Sequence, residues 1–417
     1  MSGAPPRPLH VALLTGEYPP TRGGVGDYTA CLARALARQT VRCSVVTTYL
    51  PGRSAGRERR PFDPVVCPAI RRWGWGSWRH LAALLRDLRP DVVHLQYQTG
   101  AFGMHPAVNL LPLALRAASR GAPFVATFHD LKDPYLFPKA GPLRPFANAL
   151  LRRFADAVVV TNEEDHDRVR GPKVREIPIG SNIDPIRLGS AGRAEARVRL
   201  GLRPDEVAVG YFGFINEWKG VDTLIDAFRL LLAEGRDARL VFVGGARREG
   251  ASGSWSFEAA IRRRLDEEPF RGNVVWTGFG DAGEISGFLH ALDVCALPFV
   301  EGASYRHGTL VAAIAHGLPI VTTRPPRSEA RRAGRLPPLA DGESCRLVPP
   351  RDPSALAAAI AEIADRPALR GRVAAGAAAL APRFGWDAIA GETRGLYDAL
   401  LGRAQPSKAR SHLAVAG

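Results

Sequence analysis

The feature that most constrains this chain is an alternation, carried out twice, of short apolar, β-branched runs with longer stretches of helical period. From residue 10 the order is HVALLTG, VGDYTACLARALARQ, CSVVTTYL, WRHLAALLRDL, DVVHLQY, PAVNLLPLALRAASRG, FVATFHD, a helix near 143–155, ADAVVVTN and VREIPIG. In the first helical stretch Val25, Tyr28, Cys31, Leu32, Ala35 and Leu36 recur at spacings of three and four, which puts them on one face. Strand, helix, strand is the unit of a parallel sheet with helices on both sides. After the charged, small-residue stretch LGSAGRAEARVRLGLRPDE the pattern restarts with VAVGYFGF and runs on through VDTLIDAFRLLLAEG, ARLVFVGG, a helix across 256–266, VVWTGF, ISGFLHALD, VCALPFV, GTLVAAIAHG, PIVTT and SALAAAIAEIAD. The predicted class is α/β, two doubly wound domains in tandem at 1–190 and 191–385. A helix at 386–403 is expected to pack back across the join, and 404–417 to form a frayed tail. Ligands of such sheets sit at the carboxyl ends of the strands, so with two domains the cleft between them is the expected site.

Composition narrows the class further. With 417 residues and 46% apolar content the chain can bury two large cores, and no apolar run approaches the roughly 20 residues of a spanning helix. The N-terminus lacks a basic start and a small-residue cleavage site, so a cytoplasmic protein is expected. Five scattered cysteines without a CxxC pair read as reduced thiols, and no metal-ligand spacing is seen. The net charge of +15 is uneven: residues 1–190 hold 26 basic and 15 acidic side chains, which points to an anionic partner on that half, although only five of the 56 basic residues are lysine and an arginine-rich composition also accounts for part of it.

Four strand ends carry chemistry. In TRGGVGDYT, Gly23 and Gly24 open a helix whose amides could meet a phosphate, or else simply form a tight connection; the spacing is neither a P-loop nor GxGxxG. In FVATFHD, His129 ends a strand and could bond a sugar hydroxyl, hold a proton, or cap its loop, while His94 of DVVHLQY reads as a packed or loop-satisfying histidine. In GFINEWKG, Gly213 ends a strand and Lys219 precedes a helix, where its ammonium could neutralise a diphosphate or lie in solvent. In LPFVEGASYRHGTLVAAIAHGLPIVTT, Glu301, Ser304, Arg306, His307, Gly308 and Thr309 surround a loop and a helix N-terminus, suited to sugar hydroxyls and phosphate or to solvent alone. Positions 53–79 hold seven arginines and the segment RRWGWGSWRH, a composition that fits an anionic membrane surface, single-stranded nucleic acid, or a solvated loop with its tryptophans turned inward.

Taken in order, EYPPTRGGVGDYTACLARAL, DVVHLQY, FHD, IPIGSNI, Gly213 with Lys219-Gly220, LVFVGG and AAIAHGLPIV followed by GESCRLVPPRDPSALAAAI resemble glycosyltransferase family 4 over nearly the whole chain. The resemblance implies the GT-B architecture of two facing Rossmann-like domains. It also implies transfer of a sugar with retention from a nucleotide-sugar donor (UDP-, GDP- or TDP-linked), with no resident cofactor or metal. Carried over, Gly23, Gly24, Lys219, Arg306, Gly308 and Thr309 would bind the diphosphate. His129 and Glu301 would act at the reacting sugar, and Gly213, Gly245, Ser304 and His307 would line the sugar or base. Two departures stand out: Phe214 occupies the place of the family's arginine five residues before the lysine, and Ala312 that of its second glutamate. A lipid-linked glycan or polysaccharide is the expected acceptor, reached by peripheral contact of 53–79 with a membrane; no nucleic-acid partner is expected. An epimerase on the same scaffold, or a binding protein without turnover, are the alternatives.

Overall fold

The computed structural model describes residues 7–21, 23–49, 63–131, 143–244, 254–326 and 336–403. It contains two compact units, one of Met1–Val159, Gly171–Ile177 and Ile389–Gly417, the other of Val160–Arg170 and Pro178–Ala388. The change of unit at Ile177–Pro178 precedes the compositional break near 190, and the chain crosses between units more than once.

The first unit holds a seven-stranded sheet of β1 (His10–Thr15), β2 (Arg42–Thr48), β3 (Val65–Ile70), β4 (Val92–Tyr97), β5 (Phe124–Phe128), β6 (Ala157–Val160) and β7 (Val174–Glu176), ordered β3-β2-β1-β4-β5-β6-β7. Strands β1 and β4 are buried along their whole length; β1 accordingly reads as an apolar run, whereas β4 carries His94 and Gln96 at alternate positions, both buried and hydrogen-bonded. Helices α1 (Gly24–Arg38), α2 (Ser77–Leu88), α3 (Leu111–Leu115) and α4 (Leu143–Phe154) follow their strands. The long helix expected over PAVNLLPLALRAASRG is instead a 3-10 turn at Pro106–Leu110 and the five-residue α3. Pro112 has no N–H to donate and its ring crowds the preceding turn, so a continuous helix cannot pass through it.

The second unit holds β8 (Val207–Phe212), β9 (Ala238–Val243), β10 (Val274–Trp276), β11 (Val294–Leu297), β12 (Ile320–Thr323) and β13 (Arg346–Val348), all parallel, in the order β10-β9-β8-β11-β12-β13. Its helices are α5 (Glu163–Arg168), α6 (Ser190–Arg199), α7 (Val221–Ala233), α8 (Ser254–Leu265), α9 (Ala282–Ala291), α10 (Gly308–Ala315), α11 (Pro353–Asp365) and α12 (Pro367–Leu380). Helix α11 shows why such segments start where they do: Asp352 accepts the Ala355 amide at 2.9 Å and Pro353 takes the first helical position, where a missing N–H costs nothing.

Each sheet reverses strand order beside its first strand, between β1 and β4 and between β8 and β11. Both units are therefore Rossmann-like, the pair of folds that defines GT-B, and each leaves a crevice at the carboxyl end of its switch point.

Helix α13 (Trp386–Leu400) ends the described chain. Trp386 donates from Nε1 to Ser181 O at 2.6 Å within the second unit, whereas from Ile389 onward the helix belongs to the first. There Arg394 bonds Gln39 O at 2.8 Å and the ring of Tyr397 is fully buried. No described helix is long and apolar enough to cross a membrane. The five cysteines are free; four are buried and Cys67 is half-buried.

Candidate functional site

In the second unit the sequence-predicted residues converge on the β8–β11 switch point. Directly after β8 comes Gly213, whose φ of +124° favours glycine and whose missing side chain makes room for Thr309: a Cβ there would stand 2.6 Å from Thr309 Cγ2. Beyond it a 3-10 turn, Glu217–Lys219, is capped by Asn216 and ends at Gly220, with φ +68°. A Cβ on Gly220 would sit 1.9 Å from Pro298 O, so this turn lies directly against the end of β11.

That contact places Lys219. Its ammonium lies 4.9 Å from the centre of the Phe299 ring, and the other partner of that ring is His307, stacked at 3.9 Å with an 18° tilt. Lys219 has no carboxylate partner among the described residues. Although part of its surface remains open, burial of the charge, with the Arg306 cation adding to it, pushes its pKa down to about 8. His307 is driven to about 2, first by burial and then by the charges of Lys219 and Arg306, and is a neutral ring at pH 7.

His307 is also the residue before α10. Its carbonyl accepts the Leu310 and Val311 amides at 2.9 and 3.1 Å, while the amides of Gly308 and Thr309, first in the helix, have no intrahelical acceptor. The ring nitrogen Nδ1 of His307 and the hydroxyl of Thr309 are both buried without a hydrogen-bond partner. Unpaired polar atoms at a positive helix end, beside an unpaired ammonium, form a site suited to an anion with several oxygen acceptors.

Other predicted residues have different surroundings from those expected. Arg306 is not free for phosphate: it pairs with Glu301 at 2.6 Å and with Glu164 of α5 at 3.3 Å. Glu301 is exposed and spends one oxygen on that pair. Ser304 is 4% exposed and its hydroxyl accepts the Arg306 amide at 3.4 Å, so it shapes the loop. The same loop lines a cavity of about 610 Å³ with Glu163 and Arg324. Ala312 is buried within α10, and Phe214 packs 6.2 Å from Phe279. Gly245 lies outside the described residues, as do positions 53–62.

In the first unit the glycine turn after β1 is already occupied. Glu17 accepts the amides of Val25 and Gly26 at 3.1 and 3.2 Å, and a Cβ on Gly23 would collide with that carboxylate at 2.1 Å. The helix end expected to meet a phosphate is thus capped by the chain's own negative charge, and a diphosphate would have to displace it; Gly24 remains exposed.

His129 follows β5 and is half-buried. Its Nε2 lies 3.0 Å from Gln96 Oε1, and the ring of Tyr28 meets it edge-on at 4.6 Å. Burial lowers its pKa to about 3, so it is neutral and able to accept as well as donate. Of the two readings for His94, the packed one is what the structure has: it is interior, with both ring nitrogens bonded and its pKa likewise lowered to about 3 by burial.

Of the three tryptophans at 73–78, Trp73 is buried with Nε1 on Thr48 Oγ1 at 2.9 Å and Trp78 is half-buried with Nε1 on Ala107 O. Trp75 is 53% exposed, with Arg71, Arg72 and Arg79 exposed nearby in sequence.

Comparison with known proteins agrees with these observations. Residues 22–184 match the model of Glycosyltransferase Family 4 and residues 206–366 that of Glycosyl transferases group 1. The chain is 30% identical, over 82% of its length and 79% of the other's, to a phosphatidyl-myo-inositol mannosyltransferase of Mycobacterium leprae. Among solved structures it resembles sucrose-phosphate synthase from Thermosynechococcus elongatus, with a TM-score of 0.71 and 22% identity over 94% of this chain and 99% of that one. It also resembles Anabaena HepE in complex with UDP and glucose, with a TM-score of 0.68 and 19% identity over 92% and 98% of the two chains.

Proposed function

The chain belongs to glycosyltransferase family 4, and from that membership we propose that it moves a hexose, with retention, from a nucleotide-diphosphate sugar to a lipid-linked glycan or polysaccharide. The observation that carries the donor half of this reading is the group of unpaired polar atoms at the start of α10, the Thr309 hydroxyl and His307 Nδ1, beside the unpaired Lys219 ammonium. When the bond between the anomeric carbon and the diphosphate breaks, negative charge grows on the leaving oxygens. A cation and helix amides fixed in a low-dielectric pocket stabilise that charge without reorganising. Arg306, neutralised by two glutamates, fixes the loop in this reading, and Lys219 provides the free positive charge.

The first unit supplies His129, whose neutral ring bonds a sugar hydroxyl. It also supplies the acceptor side. Trp75 among Arg71, Arg72 and Arg79 supports docking on an anionic membrane, with the aromatic ring at the interface and the guanidinium groups on lipid phosphates. The Mycobacterium leprae relative is by name an enzyme of an inositol phospholipid, which supports a lipid-linked acceptor.

The test is release of free nucleoside diphosphate from UDP-, GDP- and TDP-sugars, with and without a membrane extract, for the native chain, Lys219→Met and His129→Ala. Release that needs the extract and falls in both variants supports the proposal. Donor converted to its epimer with no acceptor present replaces it with an isomerase, and donor binding without turnover replaces it with a binding protein. Flotation with phosphatidylglycerol vesicles that is unchanged by Trp75→Ala removes the membrane surface.

A further inference from the structure

Behind His129 runs a line of polar side chains inside the first unit that the proposed reaction leaves unused. His129 Nε2 is 3.0 Å from Gln96 Oε1, and Gln96 Nε2 is 3.2 Å from His94 Nε2. His94 Nε2 is also 2.7 Å from Thr127 Oγ1, and His94 Nδ1 is 2.5 Å from the hydroxyl of Tyr397 on α13. Gln96, Thr127, His94 and Tyr397 are each no more than 1% exposed. Neighbouring strands set this alignment: Leu13 of β1 pairs with His94, and Gln96 pairs with Thr127 in the β4–β5 register. Tyr397 arrives from 303 residues further along the chain than His94.

A carboxamide has an acceptor at one end and donors at the other, so it forces opposite roles on the two imidazoles it joins. With Oε1 toward His129, that ring must donate from Nε2, which leaves Nδ1 as a lone pair. The amide group must then donate to His94 Nε2, so the proton of His94 sits on Nδ1 and is donated to the Tyr397 oxygen. Every bond in the line points the same way, and aligned hydrogen bonds reinforce one another. Both histidines are neutral at pH 7, so tautomer and not charge is what the line can fix. Nδ1 of His129 has no partner among the described residues.

We propose that Tyr397 is a positioning residue for the transfer: through His94 and Gln96 it holds the proton of His129 on Nε2, so that Nδ1 is presented as an acceptor for a substrate hydroxyl. That role rests on the transferase reading. The tautomer chain itself does not, and the two are tested separately.

Nitrogen-15 NMR of the imidazoles in the full chain, with no substrate present, reads the first part. The native protein should show His129 protonated at Nε2 and His94 at Nδ1. In Tyr397→Phe the ring volume is kept and the acceptor is lost; His94 should move its proton to Nε2, Gln96 should turn over, and His129 should appear with its proton on Nδ1. Should that variant not fold, Gln96→Glu gives the same test from the middle of the line, because a carboxylate there should leave His129 protonated on both nitrogens at pH 7. A native His129 carrying its proton on Nδ1, or a His129 signal unmoved in these variants, overturns the chain. The second part is read by nucleotide release from UDP-glucose and GDP-mannose: Tyr397→Phe should lower kcat about tenfold with donor KM held within about twofold. A moved tautomer with kcat unchanged overturns the role, and a tautomer chain seen in a protein that turns over neither donor nor acceptor refutes the transferase reading while leaving the chain standing.

Discussion

Lys219 is held against its own solvation, and the size of that effect is open to measurement. Its pKa falls from 10.5 to about 8, chiefly through burial and then through the Arg306 charge. At 1.36 kcal/mol per pH unit this is a folding penalty of about 3 kcal/mol for the charged form, and the part of the side chain still open to water reduces it to about 1–3 kcal/mol. The sign follows from proton binding. Below pH 8 the lysine is charged in both the folded and unfolded chain and the whole penalty applies. Between pH 8 and 10.5 the unfolded chain binds more protons, so this residue's contribution to stability rises with pH, and above 10.5 the penalty is gone. Lys219→Met keeps the stem on Phe299 and removes the charge. The variant should therefore be more stable than the native chain by about 1–3 kcal/mol at pH 7, with the gap narrowing between pH 8 and 10.5 and gone above it. Denaturant unfolding of both proteins in parallel across pH 7 to 11 isolates the difference from every other titrating group. The same variant should bind UDP about 10 to 100 times more weakly, since a hydrogen bond from a charged donor is worth about 1.5–3 kcal/mol. A variant that is less stable at pH 7, or a gap that does not change with pH, refutes the picture of an ammonium kept unpaired for a ligand.

Thr309→Val replaces a buried hydroxyl that has no partner with an isosteric methyl, so its melting temperature should hold or rise while UDP affinity falls about three- to tenfold, read by calorimetric titration. Gly220→Ala should cost about 2–4 kcal/mol in a denaturant titration, because a Cβ at positive φ would be driven into Pro298 O. Glu17→Gln keeps an oxygen for the Val25 and Gly26 amides but removes the charge at the start of α1, and should lower stability by about 0.5–1 kcal/mol at pH 7.

The fold was legible because parallel strands buried on both faces write themselves as unbroken apolar runs. Strands β1, β5 and β11 and the middle of β8 are of this kind, while β4 is located by its valines and leucine despite His94 and Gln96 between them. Strand β3 escapes such a reading: it is an edge strand, mostly half-buried, with Pro68 inside it, a residue tolerated only where a ladder can spare a donor. Strand β13 is three residues long and also at an edge. At the site, Gly213, Lys219, His307, Gly308 and Thr309 could be gathered from sequence because they lie in the turns after β8 and β11, which the topology brings together. What could not be read was the pairing of charges. Nothing in the spacing of Arg306 reveals that Glu164, 142 positions earlier, would neutralise it. Phe299 likewise reads as core, although its ring supports both Lys219 and His307. Glu17 was visible just ahead of the glycines, but its reach back onto the helix amides depends on the turn through Tyr18 to Thr21, which only the folded backbone defines.

The assignment of Ile389 onward to the first unit sets the order in which this protein can mature. While the ribosome is still adding the second half, the cradle for Tyr397 beneath β4 stands open, with His94 lacking the hydroxyl it will bond. That unit is finished only when α13 clears the exit tunnel, so the N-terminal half made alone, cut at any linker before residue 389, should be a poor folder that the separately supplied α13 peptide rescues.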